Sequence, residues 1–205
     1  MSKKNNDTFA DLIHSLTALP NVGIKSAQRV AYHLLQYNRK GAKKIADAIN
    51  KSLECIVNCE CCNTLCETNL CTLCADSSRD QRRLMIVHMP VDVVAMENAR
   101  CHDGRYFVLM GSVNPLQNQD LSHINFDKLI TQIQTNNIEE VIIATNFTAE
   151  GNATAYVLFE ILKKYPLKIS RLSHGIPLGG ELEYIDAGTL VQAVSERKQL
   201  NISND

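Results

Sequence analysis

The sequence has no run of about 18 apolar residues, the length a membrane-spanning helix requires. Its first residues, MSKKNND, are polar and no apolar stretch follows them, so the pattern of a secretory signal is missing too. Both absences point to a cytoplasmic chain. In that reducing compartment eight cysteines are poor disulfide material, and the sequons at Asn146 and Asn152 carry no meaning. Internal repeats, low-complexity runs and long linkers are also lacking, so the parts are expected to pack closely. The G-x4-GK[ST] pattern of an ATP-binding loop is absent; Gly23-Ile24-Lys25-Ser26 reproduces half of it. Net charge is only −1 over 205 residues, which by itself gives no reason to invoke nucleic acid. With 45% hydrophobic and 21% charged residues, the composition is that of an ordinary globular chain. The length suffices for one sizeable core or for two or three small modules.

What charge there is lies unevenly. Residues 1–54 carry Lys3, Lys4, Lys25, Arg29, Arg39, Lys40, Lys43, Lys44 and Lys51 against Asp7, Asp11, Asp47 and Glu54, a local charge of +5. Such a face fits a partner that touches one end of the molecule, and equally fits a solvated helical surface.

Three textures follow one another. Phe9, Leu12, Ile13, Leu16 and Leu19 form one helical stripe, and Ala27, Val30, Ala31, Leu34 and Leu35 a second. Ile45, Ile49, Leu53 and Ile56 form a third, with Pro20 and Gly41 as the expected breaks. A cysteine-rich segment with almost no periodicity comes next. From Arg83 onward, the apolar runs LMIVHM, YFVLMG, EEVIIATN and LKISRLSH alternate with helical patterns near 91–99, 126–136, 151–164 and 181–195. Alternating strands and helices predict an α/β domain, a parallel sheet covered on both faces.

Residues 59–74 read CECCNTLCETNLCTLC. Structural zinc takes four ligands in a tetrahedron, commonly as two Cys-x-x-Cys turns separated by a loop. Cys59 with Cys62 and Cys71 with Cys74 meet that requirement. Cys61 should point away, Cys66 lies between the pairs and Cys55 ends the preceding helix. Cys101 is remote and reads as a small buried or half-buried side chain. A redox Cys-x-x-Cys would need a βαβ context that this segment lacks. Four thiolates leave zinc no position for water, so the predicted role is architectural: a small knuckle joining the helical end to the α/β end.

In LTALPNVGIKSAQRVAYHLL a helix is expected to end at Pro20, a Pro-Asn-Val-Gly hairpin to follow, and a second helix to open near Ile24. Unpaired amides at a helix start suit a phosphate. Lys25 and Arg29, four residues apart, share one face and can bracket the same backbone. Val22 and Gly23 in the hairpin complete the candidate DNA contacts. A plain αα-hairpin with surface lysines is the alternative.

These motifs in this order, LP-x-x-G-x-KSAQR, the four-cysteine knuckle, ATN-x-T-x-EG and HG-x-P-x-GGELE, resemble the RecR family of bacterial recombination mediators over nearly the whole chain. The resemblance implies a helix-hairpin-helix region at 1–56, a zinc knuckle at 57–78, a Toprim α/β domain at 79–175 and a C-terminal helical region making subunit contacts at 176–205. It also implies a homo-oligomer, a tetrameric ring or clamp around single- or double-stranded DNA. Such a clamp helps load RecA onto gaps with RecO and, where present, RecF, in the cytoplasm and associated with the nucleoid.

Catalytic Toprim enzymes place a Glu after the first strand and an Asp-x-Asp pair after the third to hold Mg²⁺. Here those positions fall on His88, Asn146 and Thr148, leaving Glu150, and Asp92 nearby, as the acids. An imidazole and an amide are poor ligands for a hard cation. The expectation is therefore a non-enzymatic scaffold with Glu150 as a partner contact; the alternative is a Toprim-type metal-dependent phosphotransferase or nuclease. His88, Phe147 and Asn152 depart from the family's Glu, Pro and Glu. The Gly-rich stretch 174–186 holds no Lys or Arg and reads as loop geometry and subunit contact.

Overall fold

The computed structural model describes residues 7–113, 124–173, 175–177 and 179–197. Lys3 and Lys4 of the charge count, and His174 and Leu178 of the Gly-rich stretch, lie outside the described residues. The chain divides into two compact units, residues 1–56 and 57–205.

Helix α1 (Thr8–Leu16) starts where the Asp7 carboxylate accepts the amides of Phe9 and Ala10, at 3.1 and 3.4 Å. It ends four residues before Pro20, earlier than expected. From Thr17 to Leu19 the amides bond three residues back, to His14, Ser15 and Leu16, so the last turn tightens ahead of the proline. Helix α2 (Ile24–Gln36) fully buries Ala27 and Ala31, whose small side chains allow α1 close to it. Helix α3 (Arg39–Cys55) begins before Gly41, not after it. Asn38 caps α3 by accepting the Gly41 amide at 2.9 Å, and a Cβ at Gly41 would collide with that same carboxamide. The glycine serves the cap and the break falls at Tyr37–Asn38.

In the second unit a short antiparallel pair, β1 (Val57–Asn58) and β2 (Leu65–Cys66), precedes a single helical turn, α4 (Thr72–Ala75). A parallel sheet follows: β3 (Asp80–Val87), β4 (Gly104–Val108), β5 (Glu140–Ala144) and β6 (Lys168–Arg171), in the order β4-β3-β5-β6. Val87 lies level with Val108 and Ala144, so the residues just past the strands gather at one end of the sheet. Alternate strand residues feed two cores. Leu84, Ile86, Phe107, Leu109, Val141 and Ile143 pack with Leu129 and Ile133 of α6 (Phe126–Thr135) and with Leu158 and Leu162 of α7 (Ala149–Leu162). Met85, Val87, Tyr106, Val108 and Ala144 pack with Val93 of α5 (Pro90–Ala99). Both faces are covered, which explains strands that read as continuous apolar runs.

Two further expectations need correction. The helix expected over 181–195 is a 3-10 turn, Leu182–Tyr184, and a separate α8 (Ala187–Ser195). Extended backbone at Ile185 and Asp186 parts them, and the Asp186 carboxylate caps α8 through the Thr189 amide. Cys101 is exposed, not buried, because it follows the left-handed residue Arg100 that ends α5.

A polar clamp fixes the entrance to the sheet. Arg79 donates to both Glu97 carboxylate oxygens, at 2.8 and 3.0 Å, and to the Gly104 carbonyl at 2.7 Å, while the Tyr106 hydroxyl donates to Glu97 at 2.7 Å. The Arg79 side chain is 10% exposed. Its hydrogen bonds hold the Glu97 carboxyl below the usual range, against the opposing effect of burial. Glu97→Gln should cost about 2 kcal/mol by denaturant unfolding, since it leaves a mostly buried guanidinium half-paired. A depressed carboxyl stabilises the fold above its unfolded value of about 4.3. That contribution is lost as pH falls through the lower folded value, so the gap between wild type and Glu97→Gln should narrow in acid.

Candidate metal centre and nucleic-acid interface

The two cysteine pairs converge. Cys59 and Cys62 lie in the turn between β1 and β2; Cys71 precedes α4 and Cys74 sits within it. All four are buried, with every Sγ within 4.8 Å of the others and Cys62 and Cys71 at 3.5 Å. Zinc–sulfur bonds of about 2.3 Å in a tetrahedron place sulfurs roughly 3.8 Å apart, so this donor set fits one ion. The Cys71 amide donates to the Cys59 sulfur at 3.3 Å. Burial favours the neutral Cys59 thiol, but hydrogen bonds from the backbone of Cys71, Cys62 and Cys61 outweigh it and bring it to about 7. The four cysteines can hold a metal ion. Cys61 is not one of the four converging sulfurs, but it does not point away from them either: its side chain meets that of Cys74, and its sulfur accepts from Gln132 Nε2 at 2.9 Å and Arg105 Nη1 at 3.3 Å.

The centre is bound to the sheet by residues that sequence reasoning missed. The Val108 amide donates to the Cys62 carbonyl at 2.8 Å, and Asn63 Nδ2 to the Val108 carbonyl at 2.9 Å, so the knuckle joins the outer edge of β4 at its last residue. Lys128 Nζ on α6 donates to the Cys59 carbonyl at 2.7 Å. Arg105, Lys128 and Gln132 lie 30 or more positions downstream, beyond any local spacing signal.

At the other candidate site, Asn21 takes φ 61°, the left-handed conformation that its short polar side chain tolerates. Half-buried Val22 returns its amide to the Leu19 carbonyl at 3.1 Å. Gly23 occupies the N-cap of α2, no side chain caps the helix, and its first turn holds no acid. The start of α2 therefore keeps its positive end open beside exposed Lys25 and Arg29. Gly23 has φ −80°, open to any residue, and a Cβ there would meet nothing within 4 Å. Among the described residues, neither conformation nor packing calls for glycine there.

The sheet end collects the Toprim-type positions. His88 follows β3, buried, with Nε2 unpartnered among the described residues; burial lowers its pKa, against the opposing charge of Asp92, and so favours the neutral ring. Asp92 is engaged by the Met89 amide at 2.8 Å. Thr148 caps α7, its Oγ1 accepting the Gly151 amide at 3.1 Å, and Glu150 is exposed in that helix's first turn. Phe147 and Asn152 meet at one side chain: the Arg171 guanidinium lies 4.7 Å from the Phe147 ring centroid and donates to Asn152 Oδ1 at 2.7 Å.

The chain thus combines an open hairpin between two helices, a buried four-cysteine centre and a parallel sheet whose strand ends gather at one end. Residues 9–53 match the family described as RecR, helix-hairpin-helix; 82–173 match the Toprim domain; 175–198 match RecR, C-terminal. The chain is 60% identical over 198 residues to Recombination protein RecR of Neisseria meningitidis serogroup B, covering 97% of this chain and 96% of the relative. With Recombination protein RecR of Chromobacterium violaceum identity is 47% over 195 residues, covering 95% of this chain and 98% of that protein. The chain belongs to the RecR family.

Proposed function

We propose that this chain is a non-enzymatic, DNA-binding mediator of recombination and repair. It acts as an oligomeric clamp that helps load RecA onto single-strand gaps together with RecO and, where present, RecF. The observation that carries the reading is the start of α2: open amides, Lys25 and Arg29 alongside, and a glycine with open space where a Cβ would stand. Phosphate contacts of this kind are blind to base sequence. The assembly reading, a homo-oligomer of four subunits, is supported by the apolar stripe of Ile45, Ile49 and Leu53 exposed along α3. Several copies facing one opening turn weak contacts into avidity. The four cysteines hold one zinc ion, whose thiolate set suits it over a hard cation. We place its action in the cytoplasm at the nucleoid; no described helix is long and apolar enough to cross a membrane.

The scaffold reading is supported by the sheet end, where a neutral imidazole, an amide and a hydroxyl committed to a helix cap stand at the cation-binding positions. Glu150, exposed, is the proposed partner contact. Incubation with labelled DNA and Mg²⁺, read for both binding and cleavage, should give binding without strand breaks. Mg²⁺-dependent nicking that vanishes in Glu150→Ala would establish a phosphotransferase or nuclease instead.

A further inference from the structure

One face of α2 continues from the phosphate-binding end into a row of rings. Ser26, Arg29, Val30, Tyr32, His33 and Tyr37 line an open cavity of about 590 Å³. Arg29, His33 and Tyr37 stand at i, i+4 and i+8 and so follow one another along the helix. Tyr37 is 80% exposed, with the His33 ring 6.1 Å away at 37°. Tyr32 is 60% exposed yet backed by the Phe9 ring of α1 at 4.9 Å, which fixes its orientation. Rings held at the surface beside a cation offer what an unpaired base requires: a flat apolar face and a charge for the adjoining phosphate. A duplex presents stacked bases whose faces are covered, so it could use Arg29 and not the rings.

We propose that Tyr32 and Tyr37 form a stacking face for the bases of single-stranded nucleic acid, continuous with the phosphate contacts at Lys25 and Arg29. This inference rests on the DNA-binding reading above and adds to it a preference for unpaired strands. The exposed rings favour that occupant over an acidic protein surface, which has no use for them, and the adjoining Lys25 and Arg29 favour it over an apolar helix.

The test uses the full-length protein with an oligo-dT strand and a duplex of equal length, each across a salt series. Tyr37→Ala should weaken the single strand roughly tenfold or more and the duplex less than twofold. Its salt slope should not change, since no phosphate contact is lost. Tyr37→Phe keeps the ring and should bind as wild type does, and Tyr32→Leu should repeat the selective loss. A 2-aminopurine base in the strand should lose fluorescence on binding wild type and regain it with Tyr37→Ala. Equal loss on both DNAs, no loss on either, or a change of oligomer size in Tyr37→Ala would overturn the stacking assignment. If wild type binds duplex through Lys25 and Arg29 without favouring the single strand, only this inference falls. If wild type binds neither DNA, the DNA-binding reading falls with it.

Discussion

Cys71→Ser is expected to lose zinc and, with it, several kcal/mol of stability in the α/β unit. Purified wild type should contain one zinc per chain by elemental analysis, and the variant close to none. Structural zinc sites contribute apparent binding free energies of about 10–16 kcal/mol in isolated peptides, because the ligands have no preformed arrangement when unfolded. Only part of that should appear here, since the knuckle also rests on β4 and α6 through Val108, Asn63 and Lys128. A loss of about 4 kcal/mol would lower the melting temperature by roughly 8–16 °C for a unit of this size. Cys61→Ser should keep its zinc, because Cys59, Cys62, Cys71 and Cys74 converge without it. Undiminished zinc in Cys71→Ser, or none in wild type prepared without chelator, would refute the assignment.

Replacing Lys25 and Arg29 together by Ala should abolish DNA binding, with a loss of at least a hundredfold at physiological salt. Each phosphate contact contributes about 0.9 to the slope of log affinity against log salt, and several subunits multiply the effect. Both side chains are exposed on α2, so folding, oligomer size by light scattering and zinc content should remain those of wild type. Wild-type binding should be insensitive to base sequence and fall steeply with salt. Normal affinity in the double variant, or a monomeric wild type with sequence-specific binding, would defeat the clamp reading.

Local spacing and period carried much of this molecule. Two Cys-x-x-Cys turns are a local device, and the four cysteines are the ones that converge. Apolar runs of strand length between amphipathic helices foretold a parallel sheet buried on both faces, because each strand must fill two cores. The helix opening at Ile24 was legible from Pro20 to Gly23. What depends on pairing across long separations was not. The cysteine segment has no apolar period, so nothing in it announces that its backbone meets the edge of β4 at Val108, or that Arg105 and Gln132 hold Cys61. Gly41 reads as a break in sequence and proves to be the partner of an Asn38 cap, a matter of side-chain reach within one turn. Phe147 and Asn152 look like unrelated departures until β6 brings Arg171 against both. Chain-local geometry was set by residue type and spacing; the meeting of distant side chains was decided only when the sheet placed its strand ends level, since no interaction between them exists before the strands pair.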